Sequence, residues 1–205
     1  MTAKEFITDY RNSTEKESLN DLISFKPTLK ENITTDANFD FRKEVVKSLL
    51  NDFALADIIL IRKLFTEEVI CEKTTSRHDN LYQLAFYLFN LGQIVDTFIL
   101  YDAKFNAKSI DAGTMLDRTS ITVGHEIEDV ISYVQKEFEK SAALKQKYPQ
   151  ILYELKSLQE NPDYDNIADY TNFINGYFYG HKKTVSEREN ENPTEINFKP
   201  WWKFW

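Results

Sequence analysis

Apolar residues recur along most of this chain three and four positions apart, with polar residues between them, which is helical rather than strand spacing. The clearest case is "EIEDVISYVQKEFEKSA", where Ile127, Val130, Ile131, Val134 and Phe138 fall on one helical face. "QILYELKSLQEN" repeats the pattern with Ile151, Leu152, Leu155 and Leu158. "DNIADYTNFINGYFYG" does so with Ile167, Tyr170, Ile174, Tyr177 and Phe178. Lys26-Pro27, Pro149 and Asn161-Pro162 break these runs, because the residue before a proline is pushed out of the α region. Gly180 is placed to cap the last helix.

Two stretches resemble each other. "LLNDFALADIILI" (49–61) aligns without a gap on "LFNLGQIVDTFIL" (88–100), at an offset of 39 residues. Leu49 meets Leu88, Asn51 meets Asn90, Asp57 meets Asp96, and Ile59 to Ile61 meet Phe98 to Leu100. In each copy an apolar helix runs into an Asn, turns, and restarts as a second apolar helix. The Asp falls near the start of that second helix, where a carboxylate suits the helix dipole. The pattern predicts antiparallel pairs, 39–51 with 53–71 and 79–90 with 92–105, with a period in the range of stacked helical repeats. Ser76 or Asp79 is expected to cap the third of these helices. Residues 1–35 read as a polar arm with one short helix, opened by a Thr14–Glu17 capping box ahead of Leu19, Leu22 and Ile23.

The expected fold is therefore all-α: seven to nine helices in a helical-repeat-like or irregular array. A single domain is expected over 36–182, with possible repeat units at 39–71 and 79–105. The arm at 1–35 and a charged linker with a Trp-rich tail at 183–205 would pack outside it. Composition supports this. The chain has 205 residues, 42% of them hydrophobic and 14% aromatic, so it is long enough to bury a core without a metal or disulfide. Five glycines and five prolines are too few for a fold built on many tight β turns.

The net charge of −8 argues against nucleic-acid binding, which calls for a basic face. The single cysteine, Cys71, cannot pair within the chain or contribute to a thiolate zinc cluster. "MTAKEFITDYRNSTEKE" lacks the apolar core of an export signal, and no apolar run approaches the length of a membrane span. A soluble cytoplasmic protein with no integral membrane association is the expectation.

Candidate chemistry is sparse. His78, His125 and His181 are scattered, without a second ligand one helical turn away. "RHDN" carries a His–Asp pair of the kind that helical metal-dependent hydrolases use, but no histidine precedes it. There is no nucleophile elbow, phosphate loop or dinucleotide fingerprint. The stretch "YDAKFNAKSIDAGTMLDRTSITVGHEIEDV" (101–130) interrupts the helical pattern, holds Gly113 and Gly124, and gathers Asp102, Lys104, Asp111, Asp117, Arg118 and His125. These charges suit ties between packed helices, or a surface that contacts a partner. "FKPWWKFW" at the end supplies Trp201, Trp202 and Trp205, residues enriched at interface hot spots.

The function expected from these features is non-catalytic protein binding. One concrete form is a small acidic inhibitor, such as a bacterial immunity protein that masks a basic toxin domain. Partner contacts would fall on Asp102, Lys104, Asp111, Asp117, Arg118 and the three tryptophans, and no cofactor or metal is expected. The alternatives are a metal-dependent hydrolase using His78, Asp79 and His125, and a structural subunit anchored by its Trp-rich tail.

Overall fold

A computed structural model of the chain describes residues 1–180, so His181 and the tail with Trp201, Trp202 and Trp205 lie outside the described residues. The described residues form eleven α-helices and one two-stranded hairpin, so the chain is all-α with more helices than the seven to nine expected. In order these are α1 (Ala3–Asn12), α2 (Glu17–Ile23), β1 (Pro27–Lys30), β2 (Ile33–Asp36), α3 (Phe39–Leu49), α4 (Ile58–Thr75) and α5 (Leu81–Leu91). There follow α6 (Thr97–Phe105), α7 (Ile110–Met115), α8 (Ile127–Lys140), α9 (Ala142–Lys147), α10 (Ile151–Glu160) and α11 (Ile167–Tyr179). Three 3₁₀ turns join them, at Leu55–Asp57, Ile94–Asp96 and Arg118–Thr122.

The first 35 residues differ most from the polar arm with one helix. Thr2 and Glu5 form the capping box: Thr2 Oγ1 accepts from the Glu5 N–H, and Glu5 accepts from the Thr2 N–H. The helix they open buries Phe6, Ile7 and Tyr10 and packs on α3. The Thr14–Glu17 box does not form, because Ser13 closes a local turn on Glu15 and α2 starts from Lys16 without a side-chain cap. Pro27–Asp36 folds as a hairpin whose turn residues, Glu31 and Asn32, take φ of 50° and 65°, the left-handed pair of a type I′ turn.

The repeat is visible as helix, 3₁₀ turn, helix over 39–75 and again over 81–105. Its pairing is shifted from the expected phase. The most extensive helix–helix packing joins α4 to α5, across the loop between the two units. Within each unit the two helices share little packing across the 3₁₀ turn, of which only the aspartate is buried, whereas the short 76–80 loop folds α5 back along α4. Ser76 therefore ends α4 in a left-handed conformation rather than capping α5, and Asp79 pairs with Lys43 and Arg77. Arg62 bonds Asp96, and further along the same helix Lys73 bonds Asp102. The second helices of the two units, α4 and α6, thus run side by side in the same direction.

The two repeat aspartates stand at the starts of α4 and α6, as the pattern predicts, and are also ion-pair anchors. Asp57 is buried and accepts from Arg11 Nε and Nη2 at 2.8 Å each and from the Ala54 N–H. Asp96 is buried and accepts from Arg62 Nε at 2.7 Å and Nη2 at 3.1 Å. In both cases a fork of guanidinium donors from a preceding helix fixes the start of the next one.

No third unit follows. Residues 106–126 fold instead as α7 and a 3₁₀ turn laid over α5 and α6. Gly124, at φ +78°, passes so close that a Cβ there would sit 3.1 Å from the Phe89 carbonyl oxygen, so the bend requires glycine. Helices α8 and α10 pack together and close the far side of the core through Val130, Val134, Ile151 and Leu155. Among the described residues no helix is long and apolar enough to cross a membrane.

Candidate functional site

The charged residues of 101–118 mostly hold elements together. Asp117 accepts from Tyr82 Oη of α5 at 3.1 Å and from Tyr170 Oη of α11 at 3.3 Å. Burial pushes its carboxyl above the usual range, and the two hydroxyls partly offset that. Lys104 Nζ donates to the Gly113 carbonyl at 2.7 Å, and burial lowers its pKa. Arg118 grips Asp163 and the Asn161 carbonyl, tying the 3₁₀ turn to the loop before α11. Asp102 bonds Lys73 and Asn106. Asp111 stands exposed on the first turn of α7, a helix that Ser109 caps.

The histidines do not converge. His78 precedes α5, and His125 bonds the Gly92 carbonyl just past the other end of that helix at 2.9 Å. A carbonyl only accepts, so His125 Nε2 carries the proton. Eleven residues of helix separate the two sites by about 16 Å. His78, Asp79 and His125 therefore cannot share one metal, whose ligands must sit within about 2–2.6 Å of it. Among the described residues no group of three His, Cys, Asp or Glu is arranged to hold one. The Cys71 thiol is fully buried and burial raises its pKa, which leaves it a poor nucleophile.

The concave feature on this side of the molecule is a cleft of about 260 Å³. The 3₁₀ turn and the start of α8 form one wall; the end of α10 and the start of α11 form the other. His125, Glu126, Glu128, Gln159, Tyr164 and Asp165 contribute to its lining, and no lysine or arginine does. Glu126, Glu128 and Asp165 are exposed. Glu128 accepts from Gln159 Nε2 at 2.8 Å, a bond that holds its pKa below the usual value. The first turns of α8 and α11 lie here, and the carboxylates complement their positive ends, which turns a place suited to anions into one suited to cations. The Tyr164 ring lies 5.5 Å from that of Phe173, tilted against it, and Phe173 and Tyr177, one turn apart on α11, are each 42% exposed. An aromatic shelf therefore borders a carboxylate-lined cleft. Leu55, Ile59 and Val95 are also exposed, with Ile59 one turn before Arg62 on α4 and Val95 next to Asp96 in the chain.

Glu126 and Glu128 stand beside His125 in the sequence, but nothing in their spacing joins them to Asp165, Tyr164 or Phe173. The acidic run "NPDYDNIAD" was the available signal. No family model, curated protein or solved structure matches this chain.

Proposed function

We propose that the protein acts without chemistry of its own, by binding a basic surface of another protein at the 119–128/158–167 cleft. The observation that carries this reading is the union of three exposed carboxylates, Glu126, Glu128 and Asp165, with the Tyr164–Phe173 shelf and with no cation in the lining. A partner's arginine or lysine entering the cleft meets charge, and the flat parts of that partner meet aromatic surface, which is the composition of interface hot spots. Carboxylates arranged this way imitate an anionic substrate. A small acidic inhibitor that masks a toxin's basic site, as an immunity protein does, is the form of binder that fits. Steering by the same charges would accelerate capture at low salt.

The test is co-purification with the product of the neighbouring gene, followed by affinity measurement on E126Q/E128Q/D165N. These side chains are exposed, so the variant should keep its circular dichroism and melting temperature. Its affinity should fall at least about tenfold, with a shallower salt dependence. Unchanged affinity would dismiss the cleft as the interface.

A further inference from the structure

Helix α11 leaves Phe173 and Tyr177 half-exposed on one side, and that side runs back from the end of the described chain to the cleft. Tyr179 Oη donates to the Leu50 carbonyl and so fixes the point at which the chain departs after Gly180. Beyond it the sequence holds "INFKPWWKFW" at 196–205, with Lys199 and Lys203 set among Phe198, Trp201, Trp202, Phe204 and Trp205 and no acidic residue. Aromatic residues broken by lysines are the chemical complement of an aromatic shelf beside carboxylates.

We infer that segment 196–205 of this same chain seats on the Phe173–Tyr177 face of α11 and directs its lysines to the carboxylate-lined cleft, covering the receptor in cis until a partner displaces it. The inference rests on the reading of that cleft as a receptor for cationic, aromatic surface. Distance permits it: α11, with 13 residues, is about 20 Å long. Residues 181–195 cover about 25 Å at half of full extension. A tether of this length holds the segment at an effective concentration on the order of millimolar, so a contact too weak to form between molecules is populated within one.

All three tryptophans of the chain lie in this segment, so intrinsic tryptophan emission reports on it alone. In the full chain, alone and dilute, the emission should be blue-shifted and weakly quenched by acrylamide. Phe173→Lys, Asp165→Lys and the tail variant K199E/K203E should each restore the red-shifted, readily quenched emission of solvated tryptophan; the tail variant leaves the folded body untouched. Solvated emission in the unaltered chain overturns the inference. Shielding that survives both Phe173→Lys and Asp165→Lys, or that yields only to Ile59→Lys on α4, overturns it as well. So does shielding that appears only at high protein concentration, which marks a second copy, or only with anionic vesicles, which marks a bilayer. An oligoarginine peptide separates this inference from the receptor reading. Shielded tryptophans with no peptide bound to the chain truncated after residue 195 refute the receptor and leave the cis contact; solvated tryptophans with peptide bound refute the cis contact alone.

Discussion

Replacing Arg42 with methionine should destabilise the protein severely at neutral pH and much less in acid. The Arg42 side chain is fully buried between Asp36 of β2 and Glu68 of α4, whose side chains are also fully buried, and it donates to the Ile23 carbonyl. Burial raises the Glu68 pKa, and the Arg42 charge opposes that rise. Glu68 Oε2 has no hydrogen-bond partner; the Asn80 amide eases the charge without bonding it, and Asn80 Nδ2 is itself unpartnered. Methionine fills similar volume but leaves Asp36 and Glu68 without their cation, so Glu68 must take up a proton or the site unfolds. Protonating a carboxyl whose ordinary value is 4.5 costs about 3 kcal/mol at pH 7 and under about 1 kcal/mol at pH 5. Together with the lost bonds, the expected cost at pH 7 is about 3–5 kcal/mol. That corresponds to a melting temperature lower by roughly 10 °C for a chain of this size.

Urea titrations at pH 7 and pH 5, on the parent and on Arg42→Met, measure both quantities. A carboxyl with a raised folded-state pKa favours the folded protein below its unfolded pKa and loses that contribution as pH climbs through the folded value. The variant's deficit should therefore shrink by about 2 kcal/mol or more between pH 7 and pH 5. A deficit under about 1 kcal/mol at pH 7, or one that does not change with pH, refutes the claim that Arg42 neutralises two buried charges.

Arg62→Leu should cost about 1–3 kcal/mol, because it strands the buried Asp96, whose pKa burial already raises. Adding Asp96→Asn should recover part of that loss in a denaturation double-mutant cycle, and strict additivity would contradict the pairing. Gly124→Ala meets both a φ of +78° and the Phe89 carbonyl at 3.1 Å, so it should cost more than about 1 kcal/mol. An unchanged melting temperature for Gly124→Ala would show that the bend is not held there.

What was legible in the sequence, and what was not, follows from where charged residues sit. Helices α8, α10 and α11 each bury one side only, so their apolar stripes gave them away. The Asp57/Asp96 repeat was legible too, but its purpose was not, because Arg11 and Arg62 reach it from other helices. In the first 35 residues, Phe6, Ile7 and Tyr10 already had helical spacing, and Thr2–Glu5 was a readable box; the polar residues around them diluted the pattern. The hairpin lacked a cue because its turn is Glu31-Asn32, without the glycine that usually marks a type I′ turn. The cleft joins residues 119–128 to 158–167, and long-range contacts bring those segments together: the packing of α8 on α10, the Glu128–Gln159 bond and the hold of Arg118 on Asn161 and Asp163.

Helix α4 shows why a net charge is a weak guide to partners. Glu67, Glu68 and Glu72 all point inward from it. Glu67 accepts from the Phe25 N–H ahead of the hairpin, Glu68 holds Arg42, and Glu72 accepts from the Lys108 and Ser109 N–H groups at the start of α7. Irregular segments on either side of α4 have part-buried backbone donors with no helix or sheet to satisfy them, and carboxylates from the central helix do so. Part of the −8 balance is thus consumed by folding, and Asp57 and Asp96 belong to the same class. The charge available to a partner is local: Glu126, Glu128 and Asp165, exposed at a cleft with no cation in its lining. The two classes should separate under substitution. Neutralising an α4 acid should lower stability, whereas neutralising the cleft acids should leave the fold intact and weaken only the binding of a basic surface.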